Sequence, residues 1–401
     1  MDIIYVGTLP PHQGGSAISS FQLIKAMVRK GLGVRAIGPV TRDTSDFAER
    51  FAADHPEIEF DRFEVPYYKT SPDVPAPDDY WEVEKRALRA CLQRMIRHRS
   101  PDLILLGRET FAWHLPDADI NGAIPCVLRV AGGTMTGILR GNYSNKVMNR
   151  LLVQLRAVDM LIVPAQHLVK TMRERGCRMV TYIPNAIDVA QFSPGPKNRN
   201  LLRELRIEPS QIVVMHASNL KPIKRAGDFV RAAKQTIATF PGLVFVVAGD
   251  GLMRSEMEET CRELGMQDKF RFLGWVEYER MPEYIRVADI VVMCSEAEGL
   301  ARVYLESQSC AKVLIASDIP AARQVITHGR DGLLFPVGDR SALEARILQA
   351  AGDADLRSEL GRRARERVVV AHALDAAAEA YASTLHKVIN LTRGHGGSTV
   401  G

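Results

Sequence analysis

Short, almost unbroken apolar runs alternate along this chain with longer stretches of helical period, and that alternation limits the fold more than any other feature. The runs are Ile3–Val6, Gly33–Ile37, Leu103–Leu106, Cys126–Val130 and Met160–Val163, then Val213–His216, Val244–Ala248, Phe270–Leu273, Ile290–Cys294 and Val313–Ala316. A strand that wets one face alternates apolar and polar residues. Most of these runs do not, so both faces need cover, as in parallel sheets. Between them, Ser19–Lys30, Tyr80–Arg99, Gly227–Thr239 and Leu252–Leu264 have helical spacing. Strand, helix, strand in repetition predicts βαβ units, and hence an α/β fold of doubly wound parallel sheets.

The series breaks once, at Pro194-Gly195-Pro196-Lys197-Asn198-Arg199-Asn200, a polar stretch that reads as a linker. The expected organisation is a Rossmann-like domain over 1–193, the linker over 194–200 and a second Rossmann-like domain over 201–372. A C-terminal helix over 373–392 is expected to cross back to the first domain, ahead of a disordered tail over 393–401. The 401 residues are enough for two cores. Sheets of this kind bind ligands at the carboxyl ends of their strands, so two of them facing one another imply a central cleft.

The chain carries 52 Lys and Arg against 47 Asp and Glu, a net +5 spread over its whole length. That is too thin for a nucleic-acid partner, but it suits small anions or a lipid surface. No run approaches the ~18 apolar residues of a membrane helix. Met1–Val6 lacks the basic start of a secretory signal and reads as a strand, which points to a cytoplasmic protein. The six cysteines (Cys91, Cys126, Cys177, Cys261, Cys294, Cys310) form no C-x-x-C pair. Buried free thiols are expected, with no metal site and no cofactor. One helical segment sets Arg86, Arg89, Arg94, Arg97 and Arg99 against Leu88, Leu92, Met95 and Ile96. It reads as a solvated helix with one core face, or as a peripheral membrane contact.

Three loops at strand ends carry residues suited to chemistry. Gly14-Gly15 follows the first strand and opens a helix, whose unpaired N–H groups suit an anion; the alternative is a plain turn. It is not G-x-G-x-x-G, so a dinucleotide is not expected. The loop Ser218-Asn219-Leu220-Lys221-Pro222-Ile223-Lys224-Arg225 gathers three cations just before a helix. Cations oppose the helix dipole there unless an anion lies between, which points to phosphate or diphosphate, or else to a solvated basic turn. The third loop carries Glu298 and Glu306 in E-x7-E spacing. Gly299, Leu300, Ala301, Arg302 and Val303 present backbone amides between them. The amides suit a phosphate and the carboxylates suit sugar hydroxyls. Gly249-Asp250-Gly251 makes a further tight turn, with Asp250 as a candidate cap. Gly274-Trp275-Val276 offers a surface for a base ring, although Trp275 equally suits ordinary packing.

With these residues in place the chain resembles the family 4 glycosyltransferases of GT-B fold. The markers are Gly14-Gly15, Pro184-Asn185-Ala186-Ile187-Asp188-Val189-Ala190-Gln191-Phe192, the basic loop with Lys224, Gly249-Asp250-Gly251, Glu298-x7-Glu306, and Asp331-Gly332-Leu333-Leu334 followed by Ala342-Leu343. The resemblance implies a retaining sugar transfer from a nucleotide diphosphate donor, without an obligatory metal, to a small-molecule or lipid-linked acceptor. It implies Lys224 with Asn219, Lys221 and Arg225 on the diphosphate, Glu298 on the donor sugar and Glu306 on the ribose. Gly249, Trp275 and Val276 would lie around the nucleotide, and Gly14-Gly15 would reach the diphosphate from the first domain. Two departures stand out: Asn219 occupies the usual arginine position, and Ala131 that of a first-domain histidine. The Ser-Asn-x-Lys/Arg-x-x-Lys-Arg form resembles the N-acetylglucosaminyl malate synthases, implying a UDP-GlcNAc donor. Arg129, Gly132 and Gly133 are the acceptor-side candidates, with Asp54–Asp79 and Gly132–Asn149 as regions to search. Competing readings are a non-catalytic nucleotide-sugar-binding protein and another GT-B activity, such as a nucleotide-sugar epimerase or phosphorylase.

Overall fold

The computed structural model describes residues 1–10, 14–66, 80–114, 124–130 and 145–395. Ala131, Gly132, Gly133 and most of Gly132–Asn149 lie outside the described residues, as does the end of the expected tail.

Two units emerge, Met1–Ala186 with Leu374–Gly401, and Ile187–Ala373. The first is built on a seven-stranded sheet of β1 (Asp2–Val6), β2 (Gly33–Val40), β3 (Glu59–Glu64), β4 (Leu103–Leu106), β5 (Cys126–Arg129), β6 (Met160–Val163) and β7 (Val180–Tyr182). Its order is β3-β2-β1-β4-β5-β6-β7, and every pairing is parallel. β1, β4 and β6 are almost wholly buried, as their unbroken apolar runs require. β3, reading Glu-Phe-Asp-Arg-Phe-Glu, alternates and lies at the edge, half in solvent. The helix Leu374–His395 belongs to this unit, and it buries Tyr381, Leu385, Val388 and Ile389 in the same core as Ile3, Phe21 and Met27. It runs past residue 392, so the first residues assigned to a tail are helical.

The second unit is a six-stranded parallel sheet of β8 (Ile212–Ala217), β9 (Leu243–Ala248), β10 (Phe270–Gly274), β11 (Ile290–Met293), β12 (Val313–Ser317) and β13 (Leu333–Phe335). The order is β10-β9-β8-β11-β12-β13. In each sheet the winding reverses once, between β1 and β4 and between β8 and β11. The crevice at such a reversal, beyond the carboxyl ends of the strands, is where open α/β sheets bind ligands.

The stretch 194–200 does not link two units; it lies inside the second, which begins at Ile187. Ile187 and Phe192 are fully buried in the second core, and burying such side chains is worth about 1.5–3 kcal/mol each. Arg365 donates to the Val189 and Phe192 carbonyls, and Arg286 to those of Gln191 and Ser193. Lys197 pairs with Asp289 at 2.5 Å, and Asn198 caps the helix Arg199–Glu204. Proline and glycine mark a turn here, but the apolar anchors upstream decide which core holds it.

The helix Tyr80–His98 turns Leu88, Cys91, Leu92 and Met95 into the first core. Its apolar face is therefore covered. Arg94 pairs with Asp61, and Arg99, just past its end, with Asp2 and Glu59. None of the six cysteines is disulfide-bonded. Among the described residues no helix is long and apolar enough to cross a membrane.

Candidate nucleotide-sugar site

The basic and acidic loops follow β8 and β11, the two strands on either side of the second sheet's reversal. The fold therefore brings together residues more than seventy positions apart. Lys224 Nζ donates to Glu298 Oε1 at 2.6 Å, and the side chains are only 16% and 8% exposed. Ser295 Oγ donates to the same oxygen at 2.6 Å. The Glu296 amide binds the Ile223 carbonyl, joining the loops through their backbones as well.

The basic loop is locally unusual. Pro222–Lys224 makes one 3-10 turn, and Arg225 then takes a left-handed conformation with φ 48°, uncommon for a residue with a long side chain. Arg225 pairs with Asp228 at 2.7 Å, at the start of the helix Ala226–Thr239. Asn219 and Lys221 are exposed.

Glycines set how closely the neighbouring loops pass. Gly249 has φ +125°, and a Cβ there would stand 1.8 Å from the Ser218 carbonyl oxygen. At Gly251, φ +149°, a Cβ would stand 2.9 Å from the backbone of Leu220. Three backbone bonds close the arrangement: Leu220 N–H to Asp250 O, Met253 N–H to Leu220 O, and Gly249 N–H to Gly274 O. Gly249 thus acts by letting the turn pack on the basic loop. Asp250 does not cap the following helix, which starts at Arg254; it takes the Gly251 amide and Arg254 instead. Trp275 is 40% exposed beside this turn, whereas Val276 packs on the core.

Glu306 lies in the helix Arg302–Ser309 and is 5% exposed. Burial raises its pKa, opposed by Arg302, whose Nε lies 3.1 Å from Oε1. Arg302 also donates to the Tyr278 hydroxyl at 2.7 Å, while its Nη1 is buried without a partner. Gly299, Leu300 and Ala301 precede this helix, with Ala301 as its N-cap and Val303 inside its first turn.

His216 did not stand out in the sequence, where it reads as one residue of an apolar strand. It is fully buried on β8; Nδ1 lies 3.0 Å from the Val292 carbonyl and Nε2 lies 2.8 Å from Ser218 Oγ. Burial holds its pKa down to about 4, helped by the charge of Lys224. Only the pairing of β8 with β11 reveals this contact.

In the first unit, Gly14 (φ +115°) is the N-cap of the helix Gly15–Arg29, with open space where a Cβ would be. Arg129, the one acceptor-side candidate among the described residues, ends β5 and is 6% exposed. Burial by itself would weaken its charge; the Tyr381 and Tyr5 hydroxyls, which bond to it, outweigh that. It also donates to Ser19 Oγ, so it ties β5 to two helices. Among the described residues no three His, Cys, Asp or Glu side chains gather as metal ligands would.

Comparisons with known proteins bear on the family and the fold. Residues 197–367 match the family model described as glycosyl transferases group 1. The N-acetyl-alpha-D-glucosaminyl L-malate synthase of Bacillus anthracis is 29% identical over 168 residues, 42% of this chain and 43% of that one. A D-inositol 3-phosphate glycosyltransferase of Rhodococcus erythropolis is 29% identical over 53% of this chain and 49% of its own. The chain thus spans about half the length, or less, of these relatives. Among solved structures, Anabaena HepE in complex with UDP superposes with a TM-score of 0.77 at 19% identity, covering 96% of this chain and 100% of that one. Sucrose-phosphate synthase from Thermosynechococcus elongatus gives 0.80 at 18%, covering 98% and 100%. Within the second unit, residues 197–367 thus resemble the glycosyl transferases group 1, and the chain as a whole has the GT-B fold.

Proposed function

We propose that this chain is a retaining glycosyltransferase that moves a sugar from a UDP-sugar, foremost UDP-GlcNAc, to a hydroxyl of a small-molecule or lipid-linked acceptor. The observation that carries this reading is the pairing of Lys224 with Glu298 across the reversal of the second sheet. An incoming diphosphate takes the place of Glu298 as the anion on Lys224, with Lys221 and Asn219 on the exposed side of the same loop. Glu298, released from Lys224 but still held by Ser295, accepts hydrogen bonds from the donor sugar. Glu306 takes the ribose hydroxyls, and the amides after Gly299 take the distal phosphate. Trp275 and Val276 adjoin the base. Fixed cations beside the leaving diphosphate stabilise the charge that develops as the glycosidic bond breaks, so no bound metal is needed for that task. A donor phosphate oxygen takes the acceptor's proton.

The named relatives also bear on the donor: a 2-deoxystreptamine N-acetyl-D-glucosaminyltransferase of Streptomyces fradiae is 29% identical over 44% of this chain and 41% of its own. The test is UDP release from UDP-GlcNAc, UDP-glucose and GDP-mannose, with malate, inositol phosphate and aminocyclitols as acceptors, read by mass spectrometry. NMR of the product reports the anomeric configuration. Release with UDP-GlcNAc that EDTA does not abolish is expected. Tight UDP binding with no release from any pair would favour a non-catalytic binding protein and overturn the proposal.

A further inference from the structure

From the geometry of His216 and Ser218 we infer that Ser218 is a specificity residue which faces the donor site with lone pairs only and reads a hydrogen-bond donor on the sugar. The inference rests on the glycosyltransferase reading above. It starts from one fixed proton. The Val292 carbonyl, 3.0 Å from Nδ1 of His216, can only accept, so Nδ1 must carry a hydrogen. His216 is fully buried and packs its ring against Phe229 at 5.5 Å, an environment that disfavours a second proton. Nε2 is then a bare acceptor, and Ser218, 2.8 Å away, must donate to it. The β8–β11 ladder ends at Met215 and Val291, so this ring bridges the strands just past their last paired residues.

The consequence falls on the other side of Ser218. A hydroxyl has one hydrogen and two lone pairs, and the hydrogen is spent on His216. Ser218 is half-buried at the carboxyl end of β8, on the loop that carries Lys224, whose charge reaches His216. A diphosphate offers acceptors only and gains nothing from such a hydroxyl. A sugar hydroxyl or amide N–H does. His216 is thus a positioning residue that withholds the Ser218 proton, leaving the phosphates to Lys224 and backbone amides and the sugar to Ser218.

The test compares UDP with UDP-GlcNAc by calorimetry on the full chain. Ser218→Ala is expected to weaken UDP-GlcNAc about 5- to 10-fold, the loss of one hydrogen bond, and to leave UDP unchanged. Ser218→Thr, which keeps the hydroxyl, is expected to restore the preference. Equal weakening of both ligands, or of neither, would overturn the assignment while leaving the glycosyltransferase reading intact. A wild-type chain that binds no sugar nucleotide would overturn both. Independently, 15N-histidine NMR is expected to show the Nδ1–H tautomer for a resonance that His216→Gln removes. An Nε2–H tautomer would refute the argument at its first step.

Discussion

Replacing Gly249 with alanine tests whether the Gly249-Asp250-Gly251 turn shapes the basic loop. The added Cβ would lie 1.8 Å from the Ser218 carbonyl oxygen and 2.9 Å from its carbonyl carbon, where ordinary contact begins at 3.4 Å. Both atoms are backbone, so no side chain can swing aside. Ser218 is also held by its own N–H to the Ala248 carbonyl, and Gly249 by its N–H to that of Gly274. A non-glycine residue at φ +125° adds strain of about 1–3 kcal/mol. Forcing extra volume into a closed contact adds about 1–3 kcal/mol more. For a unit of this size each kcal/mol lowers Tm by about 2–4 °C, so a fall of roughly 5–20 °C is expected in a calorimetric scan. Gly265 is the control in the same unit: its φ is +68° and a Cβ there meets nothing within 4 Å, so Gly265→Ala should cost only about 1 kcal/mol. Gly249→Ala should also weaken UDP-GlcNAc, because Ser218 cannot stay where it is. If Gly249→Ala melts no lower than Gly265→Ala and binds as wild type does, the tight packing of this turn on the loop is refuted.

Other consequences follow from the same contacts. Lys224→Met should cut UDP release about 100-fold in steady-state assays, the scale of losing one charge-stabilising donor, and Glu298→Gln should lower it by weakening an acceptor for the sugar hydroxyls; unchanged turnover would refute their placement at the donor. The His216 pKa lies below its ordinary value, so the unfolded chain binds the extra proton first, and stability is lost as pH falls from about 6.5 towards 4. Urea unfolding should show about 3 kcal/mol of that loss at its limit, and His216→Gln should remove it. Tyr381→Phe deletes a hydroxyl bonded to buried Arg129 and should cost about 1 kcal/mol in denaturant unfolding; a neutral change would mean that this contact does not hold the C-terminal helix. The helix Tyr80–His98 has its apolar face in the core, so co-sedimentation with phosphatidylserine vesicles should be no more than salt-sensitive; binding that survives high salt would contradict that packing.

The two units of this chain differ in how far the sequence exposes them. Unbroken apolar runs such as Leu103–Leu106 and Met160–Val163 coincide with β4 and β6 residue for residue, because a strand covered on both faces has no other composition open to it. β7 and β13, three residues each, carry too few positions to register a pattern. The basic loop after β8 and the acidic loop after β11 were legible as two motifs at one cleft edge, but not as a side-chain pair. That they meet follows from strand order, which local sequence does not encode. The Pro194–Asn200 stretch was misread as a linker because turn chemistry shows where the chain bends, not which core it joins.

The sequence by itself determined the α/β class, the parallel sheets and the residue types of the basic and acidic loops, since periodicity and turn chemistry act over a few neighbours. Tertiary structure decided the rest. It set Lys224 on Glu298, turned Arg129 inward between two tyrosines, and placed His216 against the Val292 carbonyl. Each of these joins residues brought together only by strand pairing or helix packing, and the protonation and charge that matter for chemistry depend on that enclosure.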